Sequence, residues 1–308
     1  MTSTITKPFL KWVGGKTQIL DDILALFPAE MANYYEPFLG GGSVLLGLLS
    51  KVKSGAIKVT SKVYASDVNP NLIALYKTIQ SSPDALIREV KLLTQEFARC
   101  TGNVVNRKAT TKEEAMTSQE SYYFWIRSSF NTMPAPERQS PKGSAMMLFM
   151  NKTGFRGLYR EGPKGFNVPF GNYKQPTILV EDHIRQVSAL IQGVIFHCQS
   201  YTDTLVMPTS GDFVYLDPPY APENETSFVG YTAEGFTLDN HKDLFKTCNK
   251  LCERGVNLIM SNAAVPLVTA AFPTPQYVTR TLSCKRSINS KNPEAKTNEV
   301  LIKNERGI

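Results

Sequence analysis

Tyr34-Tyr35-Glu36-Pro37-Phe38 and Gly40-Gly41-Gly42-Ser43, with Lys62-Val63-Tyr64-Ala65-Ser66-Asp67 downstream, decide the fold. The first run reads as a short strand entering a turn. The glycines break any regular element, and Val44 to Leu49 resumes as an apolar helix. Lys58-Val59-Thr60 together with Lys62–Asp67 reads as the next strand, ending at an acid, and Asn69 to Ile79 reads as a helix. Strand, glycine turn, helix, strand, acid is the opening of a nucleotide-binding α/β unit. Neither GxGxxG nor GxxxxGK[ST] is present, so the turn is not a phosphate cradle. It lets backbone approach a ligand and sets a helix N-terminus beside it.

The α/β pattern resumes far downstream. Glu181 to Leu190 reads as a helix and Val194–Cys198 as a strand. Asp212–Asp217 is a strand ended by Pro218-Pro219, and a loop is expected over 221–236. Leu238 to Arg254 is a helix stopped by Gly255, Val256–Ser261 a strand, and Tyr277–Leu282 and Glu299–Lys303 closing strands. Upstream, Lys16 to Leu26 has helical spacing. The middle lacks βαβ alternation. Helices are expected at Ala85–Phe97 and Glu120–Phe130, with irregular Gly/Pro-rich stretches at 131–144 and 154–173. The expected architecture is a mainly parallel, twisted α/β sheet with helices on both faces and an antiparallel closing strand. A mainly helical insert over 77–176 separates 1–76 from 177–308.

The chain has 308 residues, 42% hydrophobic and 20% charged, as in an ordinary globular protein. No apolar run reaches the roughly 18 residues of a membrane span. No leader is recognisable, so the expected location is the cytosol, or whatever prokaryotic, phage or viral compartment holds DNA. The five cysteines are scattered and form no paired zinc pattern; they are expected reduced and partly buried. The three histidines suggest neither metal nor triad, and His183 and His241 are expected near the surface of helices. Residues 101–175 hold eleven Lys/Arg against five Glu, +6 of the total +7. A field this localised suits a polyanion. Phe155, Tyr159, Phe166 and Phe170 interleave there with Lys152, Arg156, Arg160 and Lys164. A groove-docking loop has this composition, and so has a core hairpin with a basic outer face.

Chemistry concentrates in Asp217-Pro218-Pro219-Tyr220. Methylating an exocyclic amino group requires its nitrogen to leave conjugation and aim a lone pair at the methyl carbon. An acceptor on each N–H favours that: the Asp217 carboxylate takes one and the Pro218 carbonyl, held by the rigid Pro218-Pro219 turn, the other. Tyr220 can stack on the base, which must be flipped out of a duplex to be reached. The alternative is a Pro-Pro turn after a buried strand. Asp67 suits ribose hydroxyls or a cap on the helix near Asn69. Lys16 can hold a carboxylate or phosphate, and Trp12 can cover an adenine or sulfonium; the alternative is an N-terminal segment docked through Trp12 with its lysines at the surface.

FLKWVGGK (9–16), YEPFLGGGSV (35–44), ASDVNPNLI (65–73), NKTGFRGLYR (151–160), GFNVPFGNY (165–173) and DPPY (217–220) together resemble the Dam-like, D12-class family of DNA adenine-N6 methyltransferases. The resemblance spans essentially the whole chain. It implies a Rossmann-like S-adenosylmethionine-dependent methyltransferase fold and site-specific adenine-N6 DNA methylation (EC 2.1.1.72), with S-adenosylhomocysteine as product and no metal. It implies cofactor contacts at Trp12, Lys16 (toward the methionine carboxylate), Glu36, Phe38, Gly40, Ser43, Asp67 and Asp217. His197–Asp203, including Cys198, Ser200 and Tyr201, would line the cofactor adenine.

By the same resemblance, the catalytic set is Asp217, Pro218, Pro219 and Tyr220. On the DNA side, Lys11 would reach a base edge, and Arg160 would read guanine O6 and N7. Leu158 and Pro169 would meet a thymine methyl, Asn167 would face DNA, and Phe155 would enter the base stack. Arg156 departs from the family's usual Asn and suits a phosphate. GATC is the expected target. The expected partners are double-stranded DNA and, where the enzyme protects DNA, a cognate restriction endonuclease encoded separately; a monomer is the default. The competing readings are the same chemistry on RNA adenine, cytosine N4 or a protein glutamine, and a DNA binder that has lost catalysis.

Overall fold

Phe213, Val214, Tyr215 and Leu216 are all buried, a strand apolar on both faces and therefore central. The computed structural model describes residues 5–222, 235–285 and 296–305. Seven strands form the main sheet: β1 (Tyr34–Glu36), β2 (Val63–Asp67), β3 (Val194–Cys198), β4 (Phe213–Leu216), β5 (Asn257–Ala263), β6 (Tyr277–Lys285) and β7 (Lys296–Asn304). Their spatial order is β6-β7-β5-β4-β1-β2-β3. Pairing is parallel from β3 across to β5, and β7 runs antiparallel to both β5 and β6. This mostly parallel sheet with flanking helices and an inserted helical subdomain is the Rossmann-like methyltransferase architecture.

The strand order reverses between β1 and β4, where Tyr34 pairs with Phe213 and Tyr35 with Val214. A crevice opens beyond the C-terminal ends of the strands at such a reversal. Beneath it, Phe27 packs edge-on to Phe213 at 4.6 Å, and Tyr34 stacks on Phe213 at 6.1 Å.

The chain divides into two compact units: 1–5, 16–68 and 193–308, and 6–15 with 69–192. The first holds the sheet with α1 (Leu20–Ala25) and α2 (Ser43–Lys53). The second is helical, with α3 (Pro70–Ser81), α4 (Pro83–Arg99), α5 (Gln119–Thr132), α6 (Pro141–Thr153) and α7 (Glu181–Leu190). Helix α8 (Leu238–Glu253) belongs to the first unit. Leu86, Ile87, Val90 and Phe97 form the buried face of α4, each worth roughly 1.5–3 kcal/mol of burial. Phe97 and Tyr122 meet Phe149 edge-on at 5.3 and 5.8 Å. Segment 6–15 and α3 pack with the second unit, Phe9 edge-on to Tyr76 at 5.2 Å, whereas the functional division drawn from the sequence leaves 6–15 and the part of α3 up to residue 76 with the first.

Several local expectations change. Lys58–Val59 and Val63–Asp67 are separate strands: the first pairs with Glu30–Met31 in its own two-stranded ribbon, and only the second joins the main sheet. The Lys16–Leu26 helix is a turn of 3-10 helix at Lys16–Gln18 followed by α1. Helix α6 occupies part of the stretch read as irregular. His241 is buried at 1% exposure, edge-on to Phe236 at 4.7 Å, and burial lowers its pKa to about 4. Cys198 is exposed, while Cys100 and Cys248 are buried. Most of the 221–236 loop lies outside the described residues.

Candidate active site

Glu36, Asp67, Cys198 and Asp217 all stand at the C-terminal ends of adjacent parallel strands, so the sheet delivers them to one edge. After β1 the chain turns through Gly40 (φ 48°) and Gly42 (φ 68°), conformations that side chains resist. Gly42 caps α2 without any side-chain cap, and Ser43, 6% exposed, begins the helix. Asp67 Oδ2 accepts the Gly40 N–H at 3.0 Å, tying the second strand's acid to the first strand's turn. Asp67 does not cap α3. Asn69 does, its side chain accepting from the N–H groups of Asn71 and Leu72.

Lys16 is 5% exposed, and its Nζ lies 2.8 Å from Asp217 Oδ1 and 4.8 Å from the centroid of the Tyr220 ring. Burial pushes the Asp217 carboxyl up to about 6; Lys16 pulls it down, and Glu299 adds a smaller upward push. The Tyr220 hydroxyl donates to Glu299 Oε2 at 2.7 Å. Pro218 is buried, and the exit from the motif is fixed where the Ala221 N–H donates to Asn262 Oδ1 at 2.9 Å. Glu36, 2% exposed, accepts from the Tyr34 hydroxyl at 2.6 Å. Burial drives its carboxyl up to about 8, against the pull of that hydrogen bond and reinforced by the Asp217 charge. Phe38 stacks on Tyr201 at 5.4 Å, and the Ser200 side chain caps the turn Tyr201–Thr204. A helix start with no side-chain cap, an acid at the next strand end and an aromatic pair are a set suited to a zwitterionic nucleoside such as S-adenosylmethionine.

The second unit carries Lys11, Trp12 and the hairpin. Asn151 clamps Lys11 on both sides: it accepts from the Lys11 N–H at 3.0 Å and donates to the Lys11 carbonyl at 2.7 Å and the Gly157 carbonyl at 3.0 Å. Trp12 stacks on Tyr159 at 5.8 Å. Tyr159 accepts from Asn71 and donates to Glu161. Glu161–Gly162 pairs antiparallel with Gly165–Phe166, and Phe155 N–H bonds the Pro169 carbonyl at 2.9 Å, so 154–170 is a hairpin. Its returning arm alternates: Phe166 and Val168 are buried, Asn167 and Pro169 exposed. Arg160 is exposed and held by Asn167, Nε to Oδ1 at 2.6 Å. Leu158 is half-buried, and Phe155 is 43% exposed with the Arg156 guanidinium 5.2 Å from its ring centroid. Arg156 adopts φ 56°, and its N–H donates to the Tyr173 hydroxyl. The left-handed backbone is one that Asn tolerates more readily than Arg.

A family model for D12-class N6 adenine-specific DNA methyltransferases matches residues 12–285. The chain belongs to this family. It is 38% identical over 264 residues to the Type II methyltransferase M.MjaIII of Methanocaldococcus jannaschii, covering 83% of this chain and 84% of that one. It is 34% identical to the DNA adenine methylase of Vibrio cholerae O1 El Tor over 83% and 81% of the two chains, and 29% identical to that of Escherichia coli K12 over 96% and 94%. As a D12-class enzyme it is a site-specific, S-adenosylmethionine-dependent DNA adenine-N6 methyltransferase, which sets RNA, cytosine and protein substrates aside. Among the described residues no group of three or more His, Cys, Asp or Glu could hold a metal ion, and no helix is long and apolar enough to cross a membrane.

Sequence reading of this D12-class chain missed Tyr34, Asn151, Asn262 and Glu299. Tyr34 and Glu36 are two apart on a strand and must share a face, so that signal was present. Glu299 lies 79 residues from Tyr220 with no local cue to their meeting.

Proposed function

We propose that the chain methylates N6 of an adenine flipped out of duplex DNA within GATC, the reaction classed EC 2.1.1.72. The observation that carries this reading is the Lys16–Asp217 pair beside Tyr220 at the end of β4. S-adenosylmethionine, when bound, supplies an electrophilic methyl on sulfonium. The Asp217 carboxylate and the Pro218 carbonyl accept the two N6 hydrogens and turn the nitrogen lone pair outward. Tyr220 stacks on the base. Lys16 stabilises the ionised Asp217 that this orientation requires. Gly40, Ser43 and Glu36 lie toward the cofactor's amino-acid end, Asp67 toward its ribose, and Phe38, Cys198, Ser200 and Tyr201 toward its adenine. Alignment and electrostatics carry the step.

Residues 77–176 read the target. Arg160, presented by Asn167, pairs with guanine, while Leu158 and Pro169 touch a thymine methyl and Lys11 a base edge. Phe155 enters the stack, and Arg156 holds phosphate. The enzyme works as a monomer in the compartment that holds its DNA, alone or beside a cognate restriction endonuclease. Transfer from labelled S-adenosylmethionine to duplexes with and without GATC, using wild type and Asp217→Ala, tests all of this. N6-methyladenine confined to GATC and lost in the variant is expected. Methylation of another sequence discards the reading of the hairpin, and cofactor binding without turnover on any duplex discards catalysis.

A further inference from the structure

The hairpin is short. Glu161 pairs with Phe166 and Gly162 with Gly165, and beyond them Asn167 donates its N–H to the Arg160 carbonyl at 3.0 Å. A two-stranded ribbon of this length is marginal in water on its own. In an antiparallel pair the hydrogen-bonding groups of alternate residues point away from the partner, and on the returning arm those belong to Phe166 and Val168. Both residues are buried, and buried backbone groups need partners.

Helix α5 supplies them. Tyr123, Arg127 and Asn131 recur every four residues and so lie along one face of the helix. The Asn131 amide meets Phe166 twice: Nδ2 donates to the Phe166 carbonyl at 2.9 Å, and Oδ1 accepts the Phe166 N–H at 2.8 Å. The Tyr123 hydroxyl and Arg127 Nη1 donate to the Val168 carbonyl at 2.9 and 3.0 Å. Three helix side chains thus stand where a third strand would pair. Gly165 leaves the room: it has φ 88°, and a Cβ there would lie 2.6 Å from Asn131 Oδ1. The Val168 carbonyl has two donors, either of which can stand in for the other. Asn131 makes both Phe166 bonds itself.

The clamp controls direction. Side chains alternate along the arm, so holding Phe166 inward turns Asn167 outward. Asn167 in turn holds Arg160, its Oδ1 accepting from Nε at 2.6 Å and its carbonyl from Nη2 at 3.3 Å. A guanidinium discriminates a base edge only where its plane is fixed.

We propose that Asn131 is a positioning residue that sets sequence discrimination: through Phe166 and Asn167 it aims the Arg160 guanidinium. The proposal rests on the hairpin as the base-reading element but not on GATC. A clamp that served stability alone would lower the rate at every sequence alike, whereas a clamp that aims Arg160 changes the ratio between sequences.

Methyl transfer by the full chain to a pool of random duplexes, with the N6-methyladenine positions read by sequencing, reports the target without presupposing it. Asn131→Leu is close in size and loses both bonds. It is expected to bind S-adenosylmethionine as wild type does and to methylate, with the preference over sites altered at one base pair reduced about tenfold, within what a bidentate contact supplies. Arg160→Ala should relax the same base pair at least as far. Asn131→Asp keeps an acceptor for the Phe166 N–H and loses the donor, so its ratio should fall between wild type and Asn131→Leu. If Asn131→Leu fails to fold, shown by lost cofactor binding, Asn131→Asp decides by the same ratio. A motif as strict as in wild type, or rates lowered equally at every site, overturns the proposal; a relaxed Arg160→Ala alongside it leaves the hairpin reading standing. A motif that stays strict in Arg160→Ala sinks that reading and the proposal with it.

Discussion

Lys16 and Asp217 form an ion pair 2.8 Å long that leaves the lysine 5% exposed. The pairing decides the protonation of the carboxylate. Burial alone would raise Asp217 further than the value of about 6 it has, and Lys16 is what holds it down. A protonated Asp217 is a poorer acceptor for an N6 hydrogen. Single-turnover methyl transfer should therefore be intact above about pH 6 and fall as pH drops through it. In Lys16→Met the acid limb should move to higher pH by roughly 1 to 3 units. A pH profile of single-turnover rates at saturating cofactor checks this, and an unmoved limb in the variant sinks the coupling.

The Tyr220 ring is held at both ends, its face toward the Lys16 ammonium and its hydroxyl on Glu299. Glu299 holds the ring through its hydroxyl and adds only a smaller upward push on the Asp217 carboxyl, so its main role is to position the ring. Glu299→Ala should lower kcat about fivefold, the equivalent of one net hydrogen bond. Tyr220→Phe already lacks that bond, so adding Glu299→Ala to it should cost little more. Fully additive losses would show that Glu299 acts by another route.

Gly157 has φ 64°, and a Cβ there would lie 2.4 Å from the Lys11 Cβ. Gly157→Ala must push Lys11 away or break the Asn151 clamp. The left-handed backbone alone costs an alanine about 1 kcal/mol. Duplex affinity should fall while cofactor affinity, to which the first unit supplies all the expected contacts except Trp12, is largely kept. Calorimetric titration with S-adenosylmethionine and fluorescence anisotropy with DNA separate the two. Equal loss of both would mean global unfolding rather than a displaced lysine.

Elements whose patterns are local could be read from the sequence. Helix α7 and strand β3 have the residues expected, because an amphipathic period and a β-branched run each sit between clear breaks. Helix α6 was hidden by its own burial. Met146 to Met150 are all inside, so no polar face marks a helical period. Ser140 at the N-cap and Pro141 at the first turn were the available signs, masked by the flanking glycine and proline residues. The catalytic motif was legible because Asp217 and Pro218 are adjacent, and the glycine turn because three glycines stand together. What could not be read were partners supplied across the sheet. Glu299 reaches Tyr220 from the antiparallel strand β7, and Asn262 reaches Ala221 from β5. His241 looked like a surface residue because Asp239, Asn240 and Lys242 surround it, yet its position on α8 faces Phe236 and Phe245.

Glu36 extends the electrostatic argument to stability. Its carboxyl rises from an ordinary 4.5 to about 8, chiefly through burial, so the folded protein prefers it protonated and the unfolded chain does not. A raised carboxyl pKa contributes stability that is fully present below the unfolded value and is lost as pH rises through the folded one. The wild type should thus weaken between about pH 4.5 and 8 and level off above. Glu36→Gln carries no titrating group and keeps an amide oxygen for the Tyr34 hydroxyl. It should match wild type near pH 4 and exceed it above pH 8 by on the order of a few kcal/mol. Urea unfolding of both proteins without cofactor at pH 5, 7 and 9 measures the gap. A gap that widens with pH is expected. A constant offset would mean that Glu36 is already ionised in the fold.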